Sequence, residues 1–63
     1  MTLGQNILSR RRALGLRQWQ AAERAGMAQS SWCTLERGRR NPTAKTLARI
    51  AAALGCAACD LLR

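Results

Sequence analysis

The chain has 63 residues, which is enough for one domain but too few for a core that also encloses an active-site cavity. Its 11 Lys+Arg against 3 Asp+Glu give a net charge of +8, which predicts an anionic partner, with nucleic acid favoured over an acidic membrane surface. A hydrophobic content of 48% excludes the composition of a disordered tail.

Nothing in the sequence predicts a membrane span or a leader. The longest nearly apolar segment, Ile50 to Cys59, is interrupted by Gly55 and falls short of the about 20 residues that a membrane-spanning helix needs. The first residues lack the cationic and apolar regions of a signal peptide. We therefore expect a cytoplasmic protein with reduced thiols and no membrane partner.

Glycines punctuate the sequence, and strand signals are missing, since there is no Phe, Tyr or Val and no apolar alternation. A first helix is predicted from Leu3 to Leu14, and Gly15 is placed to end it in a left-handed turn. One face of this helix carries three apolar residues and one charge: Leu3, Ile7, Arg11 and Leu14. We expect that face to lie against the core.

Two short helices are predicted next, Gln18 to Ala25 and Gln29 to Arg37, separated by a tight turn at Gly26. Their inward positions are Ala21, Ala22 and Ala25 on the former and Trp32 and Leu35 on the latter. Small residues at the crossing and a turn that accepts positive φ allow two helices to cross steeply. The opposite side of the later helix is therefore predicted to face away from the core.

Two more helices complete the predicted all-α domain. The fourth is capped by Thr43, ends at Gly55 and has the clearest apolar face in the chain. That face consists of Leu47, Ile50, Ala51 and Leu54. A last short helix is predicted from Ala57 to Leu62, and we expect it to place Leu61 and Leu62 on the core.

The combined pattern resembles the Xre-type family of phage repressors, Cro proteins and bacterial relatives, from about Ile7 to Leu62. The residues that carry the resemblance are Arg11, Gly15-Leu16, Gln18, Ala22, Gly26, Leu35, the run from Glu36 to Pro42, and Leu54-Gly55 followed by Leu61-Leu62. An Ala-x-x-x-Gly alone is a weak signal, but Glu-Arg-Gly-x-x-Asn-Pro at this distance makes it specific. The resemblance implies one compact five-helix repressor-type helix-turn-helix domain over residues 1–63, which binds double-stranded DNA.

Base contacts follow from the resemblance, because the third helix in this family enters the major groove. The residues expected to contact bases are Gln29, Ser30, Cys33 and Thr34. The Gln29 amide can pair with adenine, although an ordinary solvated helix residue is the alternative. Thr34 can press its methyl group on a thymine methyl, whereas Cys33 can instead pack only on the sugar.

Contacts to the DNA backbone are implied on either side of the groove, for Arg17, Gln18, Arg39, Arg40 and Asn41. Gln18, together with the N-terminus of its helix, is expected to hold a phosphate. These contacts should fix the register of the protein on the duplex without reading its sequence. For Arg10, Arg12 and Arg24, a solvated helix face is the favoured interpretation.

The resemblance also implies a partly buried ion pair between Arg11 and Glu36, which is structural rather than catalytic. Arg17 and Ala28 depart from the family, because they stand where the second and third helices usually begin with a Ser or Thr cap. Each missing cap should cost about 1 kcal/mol. Trp32 stands where Ile or Val is usual, and the small alanines of the second helix are expected to make room for it.

The three thiols and Trp19 leave alternatives unresolved. Cys56 and Cys59 form a C-x-x-C, a pattern of metal binding or redox sensing, but the chain has no histidine and Cys33 lies on the DNA face. Structural thiols are therefore favoured and no metal or cofactor is expected, while redox sensing and a metal shared across a dimer stay as alternatives. Trp19 could border the DNA backbone, contact a partner chain or simply be exposed.

The predicted function is a sequence-specific transcriptional repressor of a bacterium or phage, associated with the nucleoid. It is expected to bind a pseudo-palindromic operator as a homodimer. The alternative is a DNA-binding antitoxin or restriction-modification controller whose task includes binding a protein partner. An enzyme is rejected, since the chain has no His, no paired carboxylates and no Gly-rich phosphate loop.

Overall fold

The protein is an all-α domain in its computed structural model, which describes residues 2–62. Its helices are α1 (Leu3–Ala13), α2 (Gln18–Ala25), α3 (Gln29–Glu36), α4 (Ala44–Ala53) and α5 (Ala58–Leu61). They form a body of 24 × 21 × 19 Å in which α3 packs on α1 and α2, and α4 packs on α2 and α5. The five-helix prediction is therefore confirmed. Over the described range, no helix has the length and apolarity to cross a membrane.

The predicted helix boundaries differ from the observed ones only by cap residues. The residues concerned are Leu14, Arg37, Ala57 and Leu62, which flank their helices as caps. A cap residue is only half within its helix, so this difference changes no packing. The predicted bounds of α2 are confirmed.

A tight turn at Gly26 joins α2 to α3. Gly26 has φ 70° and ψ 35°, the left-handed conformation that glycine adopts without steric cost. Its amide donates to the Glu23 carbonyl at 3.0 Å. The Met27 amide donates to the Ala22 carbonyl at 3.0 Å, and together the two bonds satisfy the end of α2. The chain can therefore start α3 at Gln29, directly after the turn.

The core contains the indole of Trp32, which is fully buried. The other large side chains with no exposure are Ile7, Ile50 and Leu61. The core residues of α2 are all small: Ala21, Ala22 and Ala25. The prediction that Trp32 lies inward is confirmed, and the alanines leave volume that larger side chains would fill.

Two leucines that are predicted to face the core are exposed. Leu14 is 51% exposed and Leu62 is 64% exposed, so their predicted burial is wrong. Leu14 follows the last residue of α1, and after the turn at Gly15 the chain packs Leu16 on the core instead. Leu62 follows the single turn of α5, from which Leu61 fills the interior position.

Some helices have an N-cap side chain that accepts a backbone hydrogen bond, and others do not. Thr43 caps α4 as predicted, because its Oγ1 accepts from the amide three residues later at 3.2 Å. Arg17 and Ala28, the N-cap residues of α2 and α3, provide no side-chain cap, also as predicted. At α1, Thr2 and Gln5 form a reciprocal capping box that the prediction lacks, although its T-x-x-Q spacing was a usable signal.

Gly4 allows α1 to approach the end of α3 closely. A Cβ atom at this position would lie 2.7 Å from the carbonyl oxygens of Leu35 and Glu36. Backbone atoms of a packed helix cannot move aside as the end of a flexible side chain can. The missing side chain of Gly4 therefore sets how closely α1 and α3 pack, and with it the position of Arg11 relative to Glu36.

Candidate nucleic-acid interface

The outer face of α3 carries the predicted base-contacting residues Gln29, Ser30, Cys33 and Thr34. The first two are exposed and the last two are half-buried. On the other side of the same helix, Trp32 and Leu35 are buried in the core. The helix is thus held by apolar contacts on one side and presents polar side chains to solvent on the other.

Hydrogen bonding on this face leaves most of its polar groups available. The Thr34 hydroxyl donates to the Ser30 carbonyl at 2.9 Å. It can therefore meet a ligand through its oxygen lone pairs or its methyl group, but not as a donor while that bond lasts. Over residues 2–62, the side chains of Gln29 and Ser30 make no hydrogen bond to the protein, so a ligand would displace only water from them.

Glu36, at the end of α3, accepts hydrogen bonds from three side chains. Arg11 Nε donates to Oε2 at 2.5 Å, and Arg11 Nη2 donates to Oε1 at 3.2 Å. Gln18 Nε2 donates to Oε1 at 2.9 Å, and Trp32 Nε1 donates to Oε2 at 2.5 Å. We call Arg11, Gln18, Trp32 and Glu36 the Glu36 cluster. It joins α1, α2 and α3 through one carboxylate.

The ion pair implied for Arg11 and Glu36 is present, with side chains that are 11% and 5% exposed. Burial by itself raises the pKa of Glu36, but the hydrogen bonds from Arg11, Gln18 and Trp32 and the charge of Arg11 outweigh it. The pKa of Glu36 therefore lies below its ordinary value. The carboxylate stays ionised at neutral pH, as a structural anion surrounded by donors.

The sequence prediction does not include the hydrogen bonds that two members of the Glu36 cluster make to Glu36. Gln18 is predicted only as a phosphate contact, and Trp32 only as an apolar core residue. The structure uses one amide N–H of Gln18 on Glu36 and leaves its second N–H and its oxygen for another partner. No local signal reveals this bond, because 18 residues separate Gln18 from Glu36.

The loop after α3 carries the other predicted backbone contacts Arg39, Arg40 and Asn41, all of which are exposed. The Arg39 amide donates to the Thr34 carbonyl at 3.2 Å, which holds the start of the loop against the end of α3. Arg17, at the start of α2, is exposed as well. Within the part of the chain that the structure describes, none of these arginines has a carboxylate partner. Cationic groups therefore lie before and after the outer face of α3 along the chain.

The three cysteines are free thiols, with Cys33 and Cys56 half-buried and Cys59 exposed. Cys56 packs against the core, the position expected of a structural thiol. In residues 2–62 no group of three or more potential metal ligands comes together.

Trp19 lies on the outer side of α2 and is 51% exposed. It lines a shallow recess with Leu16, Gln20, Glu23 and Arg24. The outward placement of Trp19 is confirmed, and its partner stays a prediction.

This geometry defines a helix-turn-helix domain. Two short helices are joined by a left-handed glycine turn, and the second has one side in the core and the other open to solvent. The profile of a family described as a helix-turn-helix domain matches residues 2–63, and the chain belongs to that family.

A bacterial protein is similar over nearly the whole chain. It is the uncharacterized HTH-type transcriptional regulator y4dJ of Sinorhizobium fredii (strain NBRC 101917 / NGR234). The two are 43% identical over 60 residues, which cover 95% of this chain and 78% of y4dJ.

Solved structures of regulators share the fold. The restriction-modification controller protein C.AhdI from Aeromonas hydrophila superposes with a TM-score of 0.92 at 32% identity, covering 95% of this chain and 91% of the controller. The P22 c2 repressor in complex with synthetic operator 9T superposes with a TM-score of 0.93 at 27% identity, covering 100% of this chain and 96% of the repressor. The resemblance to phage repressors and their bacterial relatives is confirmed.

Proposed function

We propose that this chain is a sequence-specific DNA-binding transcriptional regulator that acts as a repressor in the cytoplasm and has no catalytic activity. The observation that carries the proposal is the outer face of α3, where Gln29 and Ser30 are open while Trp32 and Leu35 are buried. A helix anchored in this way can enter a major groove as a rigid unit. The similarity to y4dJ and to an operator-bound repressor supports it.

The proposed base contacts follow from the chemistry of the outer face of α3. Gln29 carries an amide that can pair with adenine N6 and N7 in the major groove. Ser30 has a hydroxyl that can donate or accept, whereas Thr34 offers an acceptor and a methyl group, since its proton is used within the helix. Cys33, which is half-buried, lies at the edge of the contact.

The proposed backbone contacts lie on both sides of that face. Arg17 and Gln18 start α2, and the free amide groups of Gln18 can meet a phosphate while Glu36 holds the side chain. On the other side of that face, the loop after α3 provides the proposed phosphate contacts of Arg39, Arg40 and Asn41. Because phosphates carry no sequence information, these residues would position α3 rather than select the site.

The test begins with selection of the operator from random duplex DNA. Gln29→Ala should then lower affinity for the selected operator about tenfold or more, because a bidentate base contact is lost. Affinity for a scrambled duplex of the same length should persist. Fluorescence anisotropy with labelled duplexes at one salt concentration measures both affinities.

Two control variants distinguish the loss of a base contact from the loss of a phosphate contact. Ser9→Ala changes an exposed polar residue of α1 and should alter neither affinity. The double change Arg39→Gln with Arg40→Gln should weaken binding to both duplexes, because phosphate contacts do not depend on sequence. An equal loss of both affinities in Gln29→Ala would contradict base recognition by that residue.

A second candidate is a DNA-binding antitoxin or restriction-modification controller that also binds a protein, and the exposure of Trp19 favours it. Tryptophan is enriched at the energetic centres of protein interfaces. C.AhdI, which has the same fold, is a restriction-modification controller. Co-purification of the protein encoded beside this chain, and its loss in Trp19→Ala, would support this function; no complex with the parent chain would contradict it.

A further inference from the structure

Trp32 is a large core side chain with no exposed surface, and it carries a polar group. Its indole N–H donates to Glu36 Oε2 at 2.5 Å, one turn further along α3. The Ile or Val that is usual at this position in the family would fill space without offering a donor. Since filling the core does not require an N–H, the bond to Glu36 is a separate contribution of Trp32.

The donors to Glu36 are divided between its two oxygens. Oε2 accepts from Trp32 Nε1 and from Arg11 Nε, both at 2.5 Å. Oε1 accepts from Gln18 Nε2 at 2.9 Å and from Arg11 Nη2 at 3.2 Å. The last torsion of a Glu side chain is soft, so a carboxylate turns easily unless its oxygens are held. Trp32 and Arg11 hold Oε2, and the direction of Oε1 follows from that.

Trp32 is the more rigid of the two groups that hold Oε2. Its side chain has few torsions and is enclosed by the core. Arg11 has a longer and more flexible side chain, and its Nη1 also donates to the Leu16 carbonyl at 2.8 Å. Without the indole N–H, Oε2 would depend on a guanidinium that serves a second acceptor. The carboxylate plane could then turn, and Oε1 would move with it.

Gln18 is the residue that depends on the direction of Oε1. It is the first residue of α2 and is half-buried. A carboxylate only accepts hydrogen bonds, so the Gln18 amide must turn its NH₂ group, and not its oxygen, toward Glu36. One N–H is used on Oε1, which leaves the second for a ligand. An amide held in this way presents one fixed set of groups, whereas a free amide alternates between two orientations.

We propose that Trp32 is a positioning residue for DNA binding, which acts through Glu36 on the Gln18 amide. The indole N–H fixes the carboxylate, and the carboxylate holds the amide in the orientation in which its second N–H meets a phosphate of the duplex. This proposal rests on the proposed function. It gives a tryptophan that is closed to solvent a part in DNA affinity, because a side chain that is already ordered loses less entropy on binding.

The first experiment removes the N–H and keeps an aromatic ring, in Trp32→Phe. The affinities for the selected operator and for a scrambled duplex should both fall by the same factor, about three to ten, because a phosphate contact does not depend on sequence. Ile50→Val is the control. It shortens another fully buried side chain, outside the Glu36 cluster, and should lower the thermal midpoint without changing either affinity. Fluorescence anisotropy at a temperature at which each variant is folded measures both affinities.

A double-mutant cycle separates positioning from a loss of packing. In the Gln18→Ala background the amide is absent, so Trp32→Phe should cause no further loss of affinity. A merely structural effect would give the same loss in both backgrounds. If thermal unfolding shows that Trp32→Phe is unfolded, the cycle is run on a chain synthesised with benzothienylalanine at position 32, in which sulfur replaces the N–H in a ring of nearly the same shape.

The state of the Gln18 amide can also be observed without DNA. In the parent, its side-chain amide protons should have NMR shifts unlike those of Gln29, whose side chain makes no hydrogen bond within residues 2–62. Trp32→Phe should move the Gln18 signals toward those of Gln29, and Ile50→Val should leave them in place.

The outcomes distinguish this proposal from the proposed function. If the parent binds duplex DNA but Trp32→Phe keeps the parental affinities, or loses the same factor in both backgrounds of the cycle, Trp32 does not position Gln18. Unchanged Gln18 amide signals in Trp32→Phe would overturn the proposal as well. If the parent fails to bind duplex DNA at low salt, the proposed function itself fails, and this proposal with it.

Discussion

At the scale of single residues, Glu36 has an unusual concentration of partners. Its carboxylate accepts hydrogen bonds from Arg11, Gln18 and Trp32 while its side chain is only 5% exposed. Removing either ion-pair partner would leave a charge that is both buried and uncompensated. The positions of three helices, and of the Gln18 amide that we propose to meet a phosphate, therefore depend on this one side chain.

Glu36→Gln should lower the free energy of unfolding by about 3–5 kcal/mol, because Arg11 then stays buried without its counter-charge. Urea unfolding followed by circular dichroism measures this change. Glu23→Gln, at an exposed position of α2, is the matched control and should stay within about 0.5 kcal/mol of the parent. Equal stability of the two variants would contradict a stabilising ion pair between Arg11 and Glu36.

The lowered pKa of Glu36 also predicts a pH dependence. A carboxyl group with a depressed pKa in the folded state contributes stability that is fully present above its unfolded pKa, at about 4.3, and is lost as pH falls through its folded pKa. The parent should therefore lose stability below about pH 4.3, and Glu36→Gln should lose less over the same interval. Urea midpoints at a series of pH values measure this, and parallel curves would contradict the prediction.

At the scale of elements, α3 is held mainly by packing rather than by its ends. Its N-cap residue Ala28 offers no side-chain acceptor, whereas Thr43 caps α4. Gly4 sets the approach of α1 to the other end of α3, because a Cβ atom at this position would collide with the carbonyl oxygens of Leu35 and Glu36. The helix proposed to read DNA therefore lacks a side-chain cap at its N-terminus, whereas its C-terminal end is firmly packed.

Ala28→Ser should stabilise the protein by about 1 kcal/mol, because a serine at the N-cap can accept from an unpaired amide in the first turn of α3. The backbone of Ala28, at φ −70° and ψ 149°, already has the extended conformation of a capped residue. Ala48→Ser, at an exposed position inside α4, is the control and should be slightly destabilising. Thermal unfolding compares the two, and a lower midpoint for Ala28→Ser would contradict the prediction.

At the scale of the whole molecule, the few acidic residues are mostly occupied. Glu36 belongs to the buried cluster, and Asp60 accepts from the Ala57 amide at 3.1 Å at the start of α5. The Glu23 carboxylate has no ion-pair or hydrogen-bond partner within residues 2–62. Of the net charge of +8, most of the share that falls within residues 2–62 is therefore displayed as exposed arginine without an ion-pair partner. Such a surface attracts a polyanion from a distance and predicts binding that depends strongly on salt.

We propose that α3 is the helix that each chain presents to DNA, and that two copies act together. Half-sites about 34 Å apart, one helical turn, should then bind two chains on one face of the duplex. Inserting about half a turn of DNA between the half-sites should abolish joint binding while each half-site still binds alone. Sedimentation of the complexes measures the stoichiometry, and unchanged joint binding after the insertion would contradict the dimer.

The sequence by itself determined the features that depend on neighbours along the chain. The five helices, the left-handed turn at Gly26, the cap at Thr43 and the missing caps at Arg17 and Ala28 all follow from local conformational preferences. The family resemblance added the pair Arg11 and Glu36, which lie 25 residues apart and which helical spacing could not have joined.

Only the tertiary structure decided which polar groups share a partner and which leucines stay outside. The bonds of Gln18 and Trp32 to Glu36 and the exposure of Leu14 and Leu62 depend on how the helices cross. Helical periodicity states which side of a helix a residue lies on, but not how far along that side the neighbouring helix extends. Two residues touch only if they lie on facing sides of their helices and at the same level along them. The level is set by the packing of the whole chain.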